Sequence, residues 1–301
     1  MAITTRRYKL LSDFERVSKL LRDSHVDGEL GGNVPQPWWE YAHTHPAFEH
    51  KLTHRFGLWE DEGELVGVAF YEMGLGEAFF ATAAGYAYLK PELLNWAERE
   101  LFEVEDGRRK LCAVVYDYEE DLREALAARG YERAGEQRVM TFDYAAGFPD
   151  APLPEGFRLA ALAEDPDPVK MNRVLWRGFD HGDEPDEDYD CRLLMQSGPR
   201  FDPGLATVVV APNGEWACFA GMWMDGRNPF GYLEPLATDP AYRRLGLARA
   251  ALVEGMRKTA ARGARYCIGG DQAFYRDLGF KRACALRSEE HTSELQSRIT
   301  I

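Results

Sequence analysis

The stretch with the clearest chemical character runs from Leu236 through Ala237, Thr238, Asp239, Pro240, Ala241, Tyr242, Arg243, Arg244, Leu245, Gly246 and Leu247 to Ala248. It falls between an apolar strand and an amphipathic helix whose buried face is predicted to be Ala248, Ala251, Leu252, Gly255 and Met256. The first N–H groups of a helix have no partners within it and sit at the positive end of its dipole. A turn of this kind can therefore hold a diphosphate through backbone donors. Gly246 and Ala248 keep the surface low enough for phosphate oxygens to approach, and Arg243, Arg244 and Arg249 add mobile cations beside them. The alternative is an ordinary helix start with solvated arginines. A nucleotide P-loop is excluded because no Gly-Lys-Ser/Thr follows, and no G-x-G-x-x-G fingerprint is present.

The elements that must position this turn recur twice. In the first half the pattern predicts strand 7–11, helix 14–21, a hairpin of 56–59 with 65–73, helix 91–102, strand 111–116, helix 119–128 and strand 137–142. In the second half it predicts strand 157–162, helix 169–178, a hairpin of 206–210 with 216–224, strand 232–238, helix 247–262, strand 266–268 and helix 273–278. Gly130 and Gly279 are 149 residues apart, as are Pro91 and Pro240, and Glu64 and Glu215 are 151 apart, so one register relates the halves. About six residues of loop after Pro240 have no counterpart after Pro91. Between the halves, Tyr144 to Gly156 carries three prolines and no hydrophobic period, the composition of a linker.

Leu236 to Ala248 resembles the acetyl-CoA loop of the GNAT superfamily of N-acetyltransferases, with Arg243, Gly246 and Ala248 as its R-x-x-G-x-A core. A second motif of that superfamily, F-Y-x-x-L-G-F, stands as Phe274 to Phe280. The resemblance is close from Phe157 to about Leu286 and only topological before Tyr144. It implies an α/β chain of the α+β type: tandem GNAT folds, each a mixed, mostly antiparallel sheet flanked by helices. The expected division is a degenerate domain over 1–146, a linker over 147–156 and an acetyltransferase domain over 157–286.

The resemblance further implies an N-acetyltransferase that uses acetyl-CoA as cosubstrate and a primary amine of a small molecule or peptide as acceptor, by direct attack in a ternary complex. The alternative is a non-catalytic acyl-CoA-binding or protein-interaction module. The cofactor would be held by Leu236, Ala237, Thr238, Arg243, Arg244, Leu245, Gly246, Leu247 and Ala248. In similar enzymes the amine must lose a proton and the leaving thiolate must gain one. Glu234 is the candidate base, or else a carboxylate on a strand edge or in an ion pair; Tyr275 is the candidate acid, or else a core aromatic with a satisfied hydroxyl. The asparagine that often precedes the second motif is not evident in Gly269-Gly270-Asp271-Gln272.

Composition narrows the remaining classes. Lys+Arg 36 against Asp+Glu 50 gives a net charge of −14, which disfavours a nucleic-acid partner. No apolar run approaches a bilayer span and no signal-peptide core follows the N-terminus, so a cytoplasmic protein without a membrane partner is expected. The five cysteines show no C-x-x-C spacing and read as reduced thiols. His43, His45, His50 and His54 cluster without a clear carboxylate partner, and no metal is expected. Trp38, Trp39, Phe79, Phe80, Tyr86 and Tyr88 read as packing residues, and the acidic run 180–190 as a solvated loop or an attractor for a cationic amine. Finally, Arg287 to Ser297, R-S-E-E-H-T-S-E-L-Q-S, resembles a translated short-read sequencing adapter. Residues 287–301 are expected to replace a natural C-terminus and are set aside from the fold reading.

Overall fold

The computed structural model describes residues 3–26 and 33–294. In chain order the elements are β1 (Thr4–Arg7), α1 (Leu10–Asp23), α2 (Gln36–Thr44), β2 (Gly57–Asp61), β3 (Glu64–Phe70), β4 (Glu77–Thr82), α3 (Lys90–Glu100), β5 (Glu103–Glu105), β6 (Arg108–Tyr116), α4 (Glu120–Ala128) and β7 (Glu132–Asp143). They continue as β8 (Arg158–Ala161), α5 (Pro168–Gly178), α6 (Asp190–Met195), β9 (Thr207–Val210), β10 (Trp216–Trp223), β11 (Phe230–Thr238), α7 (Leu247–Ala261), β12 (Tyr266–Gly269), α8 (Ala273–Leu278) and β13 (Lys281–Glu294).

The chain separates into two compact units, one of Met1–Ala42, Ala47–Arg138 and Ala283–Ile301, the other of His43–Pro46 and Val139–Arg282. This differs from the expected break at a linker over 147–156. The last residues of β7 pair with β12, from Met140 with Gly269 to Asp143 with Tyr266, so backbone pairing carries the second unit's boundary upstream. Phe148, Ala151 and Leu153, read as linker, pack on the second unit's apolar core.

In the first unit the strands run in the order β1-β2-β3-β4-β6-β13, antiparallel except for β4 beside β6. The strand expected over 7–11 begins earlier, and α1 starts at Leu10, because its apolar positions Val17, Leu20 and Leu21 share a buried helical face while Leu11 is 98% exposed. The expected pattern also lacked α2, β4 and α6. The adapter-like segment enters the fold as far as the described residues go: Arg287 to Glu294 pair antiparallel with Val115 to Arg108 of β6, and 295–301 lie outside them. A ladder is made by backbone N–H and C=O groups, so a polar stretch without proline can join it.

In the second unit the end of β7 is followed by β12, β11, β10, β9 and β8. Every residue of β10, W-A-C-F-A-G-M-W, is buried, as expected of a strand covered on both faces. Helices α5 and α7 provide that cover. Small residues on α7 allow its close approach: a β-carbon at Gly255 would stand 3.0 Å from Met222 Cε.

The ladder between β10 and β11 is broken once. Ala220 faces Leu236 and Met222 faces Leu233, so Gly221 stands opposite the two residues Glu234 and Pro235, a bulge in β11. A β-carbon at Gly221 would lie 2.4 Å from the Glu234 carbonyl oxygen. Gly221→Ala is therefore expected to lower the unfolding free energy by about 1–3 kcal/mol in urea denaturation. A variant as stable as the parent would show that the bulge relaxes freely.

Candidate active site

Two features of the second unit meet at the C-terminal end of β11. The first is a splay. β11 pairs in parallel with β12 only from Phe230 with Tyr266 to Tyr232 with Ile268, after which no pairing between them continues. On its other edge, Asp239 donates its backbone N–H to Ala217 O at 3.0 Å, which makes Thr238–Cys218 and Leu236–Ala220 non-hydrogen-bonded pairs of the β10 ladder. The N–H and C=O groups of Leu236 and Thr238 thus point away from β10, toward the side that β12 has left.

The second feature is the start of α7. Gly246 is its N-cap in the left-handed region, at φ +79°, and no side chain caps the helix. Gly246 O accepts the Ala250 N–H at 3.0 Å, so the N–H groups of Leu247, Ala248 and Arg249 precede the first intrahelical bond. Arg244 is also left-handed, at φ +66°, while Leu245 between them is not. Backbone of alternating hand turns successive N–H groups into one concavity, a shape suited to an anion. The loop borders a cleft of about 480 Å³ lined by Thr238, Tyr242, Arg244, Gly246, Phe274 and Leu278, among others. The cleft and the uncapped donors fit a diphosphate on a narrow organic arm.

Glu234 lies in the bulge. Desolvation pushes its carboxyl up to about 7, and its carboxylate has no hydrogen bond or ion pair among the described residues. Only its backbone carbonyl is engaged, accepting from Trp223 Nε1 at 2.7 Å. Of the alternatives weighed for this residue, the ion pair is not found among the described residues. Tyr275 packs its ring edge-on to Phe274 and Phe280, with centroids 5.1 and 5.4 Å apart. Its hydroxyl pKa is raised, first by burial and then by the charges of Glu234 and Cys267, so the group stays protonated and within the electrostatic reach of Glu234. Gly269 and Gly270 explain how the ring is seated: β-carbons there would stand 3.2 and 2.9 Å from it.

The arginines behave differently from one another. Arg243 and Arg249 were expected as mobile cations, but both are engaged. Arg243 donates to Gly178 O at 2.9 Å, Asp180 Oδ1 at 2.8 Å and Thr238 O at 3.3 Å, and Arg249 donates to Asp150 O at 2.8 Å. Arg244 has no such partner among the described residues and is exposed. The acidic run is partly spent on arginines: Asp180 on Arg243, Asp183 on Arg177 and Glu184 on Arg173. Sequence reasoning missed Arg177, which holds the buried Asp239 with Nε at 2.6 Å and Nη2 at 3.3 Å. Asp239 in turn accepts the Ala241 N–H at 2.9 Å and so caps the turn that opens the loop. An Asp directly before Pro240 was the available signal.

Elsewhere, all five cysteines are free thiols. Among the described residues no group of three or more His, Cys, Asp or Glu could hold a metal, and no helix is long and apolar enough to cross a membrane. His54 uses Nδ1 to contact Lys51 O at 3.0 Å.

Comparison with known proteins places this geometry. Residues 169–280 match the model of the acetyltransferase (GNAT) family. A curated relative, mycothiol acetyltransferase of Kineococcus radiotolerans, is 34% identical over 172 residues, which is 53% of this chain and 55% of that protein. The chain thus spans about half the length of that relative. Among solved structures, a GCN5-related N-acetyltransferase from Sphaerobacter thermophilus superposes with a TM-score of 0.63 at 15% identity, covering 99% of this chain and 98% of that one. A tandem GNAT protein from the clavulanic acid biosynthesis pathway gives 0.61 at 12% identity, with 98% and 100% covered. The architecture is that of tandem GNAT folds, and the family match falls in the second of them.

Gly246→Asp places an anion where the α7 donors converge, while a β-carbon there has nothing within 4 Å to meet. A side chain at φ +79° strains the backbone, so the variant should melt somewhat earlier yet still fold, and should lose acetyl-CoA affinity by at least about a hundredfold in calorimetry. Unchanged affinity would remove Arg243–Ala248 from the cofactor site.

Proposed function

We propose that the chain is an acetyl-CoA-dependent N-acetyltransferase whose second unit acts on a primary amine of a small molecule or peptide. The observation that carries this reading is the pairing of an uncapped, Gly246-led helix start with the splayed end of β11, both bordering one cleft. The family match over 169–280 and the relative named mycothiol acetyltransferase support acetyl transfer as the reaction. The first unit also has a cleft at the start of α3, of about 560 Å³, but among the described residues it lacks a left-handed, glycine-led helix start beside it. Its helix α3 is led by Leu89 in helical conformation, carries Pro91 in its first turn and buries Lys90 against Glu119. We assign acetyl-CoA to the second unit alone.

Acetyl-CoA supplies an acetyl thioester; the chain's own groups bind, orient and move protons around it. The N–H groups of Leu247, Ala248 and Arg249 would hold the diphosphate, with Leu245 and the exposed Arg244 beside them. The outward backbone groups of Leu236 and the Thr238 N–H, on either side of Ala237, would hold the pantetheine arm as an added strand would be held. Glu234, with a carboxyl titrating near neutrality and no competing partner, takes the proton of the acceptor ammonium directly or through one water. Tyr275 remains a hydroxyl and donates toward the departing sulfur.

The pH dependence separates the two roles. Glu234 is a base only when ionised, so kcat/KM should rise through about pH 7 in the parent enzyme. Glu234→Gln should remove that limb and lower the rate by about 10² to 10⁴, leaving only the rise set by the acceptor's own ammonium. Tyr275→Phe should lower kcat by a similar factor, about 10² or more, at constant acetyl-CoA affinity. Release of free CoA thiol across the pH range reads both variants. A full rate in either one would strip that residue of its role, and absence of thiol release from the parent with a broad amine panel would favour a non-catalytic acyl-CoA module.

A further inference from the structure

The end of α5 and the start of the cofactor loop are fastened by two arginines that reach in opposite directions. Arg177, in the last turn of α5, reaches forward to Asp239. Arg243, in the loop, reaches back to Gly178 O and Asp180. Between these clasps the backbones touch: a β-carbon at Gly178 would stand 2.8 Å from Ala237 Cβ and 3.1 Å from the Thr238 nitrogen. Arg177 also spends Nη1 on the segment after α5, donating to Asp183 O at 2.9 Å and Asp183 Oδ1 at 3.2 Å.

The two clasps differ in burial. The Arg177 and Asp239 side chains are 14% and 5% exposed, against 41% and 70% for Arg243 and Asp180. An exposed ion pair is weak, whereas a buried carboxylate whose only cation is removed must bend the backbone or take a proton. Asp239 is that carboxylate, and it caps the Pro240–Tyr242 turn through the Ala241 N–H at 2.9 Å. A change at Arg177 is therefore transmitted to the segment whose backbone carries the left-handed Arg244 and Gly246.

We propose that Arg177 is a positioning residue for the cofactor site: it fixes Asp239, and through the turn Asp239 caps it sets the Arg243–Gly246 backbone for the diphosphate of acetyl-CoA. Its contact to Asp183 ties the segment after α5 to the same point. The inference rests on the acetyl-CoA reading of the cleft. Arg177 itself touches neither the cleft nor Glu234 in this role; it acts through Asp239. The planar fork matters because two guanidinium nitrogens meet the two oxygens of Asp239, a match that a lysine cannot reproduce.

The test uses the full chain and acetyl-CoA, with affinity from calorimetry and turnover from thiol release. Arg177→Met should weaken acetyl-CoA binding by about tenfold or more and raise its KM in proportion, with kcat at saturating acetyl-CoA within about threefold of the parent. Arg177→Lys should fall between the two. Arg177→Met combined with Asp239→Asn should recover part of the lost affinity, because the amide oxygen can still cap Ala241 and no uncompensated charge remains. An Arg177→Met variant that melts earlier but binds acetyl-CoA as the parent does would overturn the proposal, and so would a double variant no better than the single one. Failure of the parent chain to bind acetyl-CoA at all would instead defeat the cofactor reading. Should Arg177→Met fail to fold, Arg177→Lys and the double variant carry the comparison.

Discussion

The site depends on a strand pair that comes apart. β11 and β12 run in parallel for three residue pairs and then part, leaving the outward groups of Leu236 and the Thr238 N–H unused by either neighbouring strand, while the Thr238 carbonyl accepts from Arg243. Unused donors and acceptors at a strand end are costly unless water or a ligand takes them. At this strand end Thr238 and the start of α7 border one cleft. Pairing on the opposite edge keeps the opening in register, because β10 holds β11 at Cys218, Phe219 and Ala220 up to the point where Asp239 turns away.

Charge is distributed around this opening with little redundancy. The bulge that accommodates Glu234 leaves its carboxylate desolvated and unpaired, which is what raises it toward neutrality. A few residues later in the chain Asp239 is buried more deeply than Glu234, and it has the Arg177 fork and a backbone N–H as partners. Asp239 is thus fixed by one arginine and a backbone N–H, whereas the Glu234 carboxylate has no such partner among the described residues.

Much of this could be read in the residues, because the informative features are local. A glycine before an apolar helix, a proline-led turn and the F-Y-x-x-L-G-F sequence each impose their geometry within a few positions, and α7 and α8 lie within a residue of where the pattern puts them. What was not legible depends on partners distant in sequence. The unit boundary shifts because the end of β7 pairs with β12 more than a hundred residues on. Arg243 and Arg249 looked like free cations because Asp180, Gly178 and Asp150 O are remote from them in the chain. The segment after Leu286 was set aside for its adapter-like sequence, and its place beside β6 is a matter of backbone pairing. Arg177 was read only as part of a helix, and its meaning appears once Asp239 is seen beside it.

The central claim is that backbone donors of the second unit, and of no other part of the chain, hold acetyl-CoA. Amide hydrogen exchange followed by mass spectrometry, with and without saturating acetyl-CoA, reads those donors directly. Protection is expected over 236–238 and 244–249, with the 77–100 segment of the first unit unchanged. Protection confined to the first unit, or none over 244–249 at saturation, would contradict the assignment.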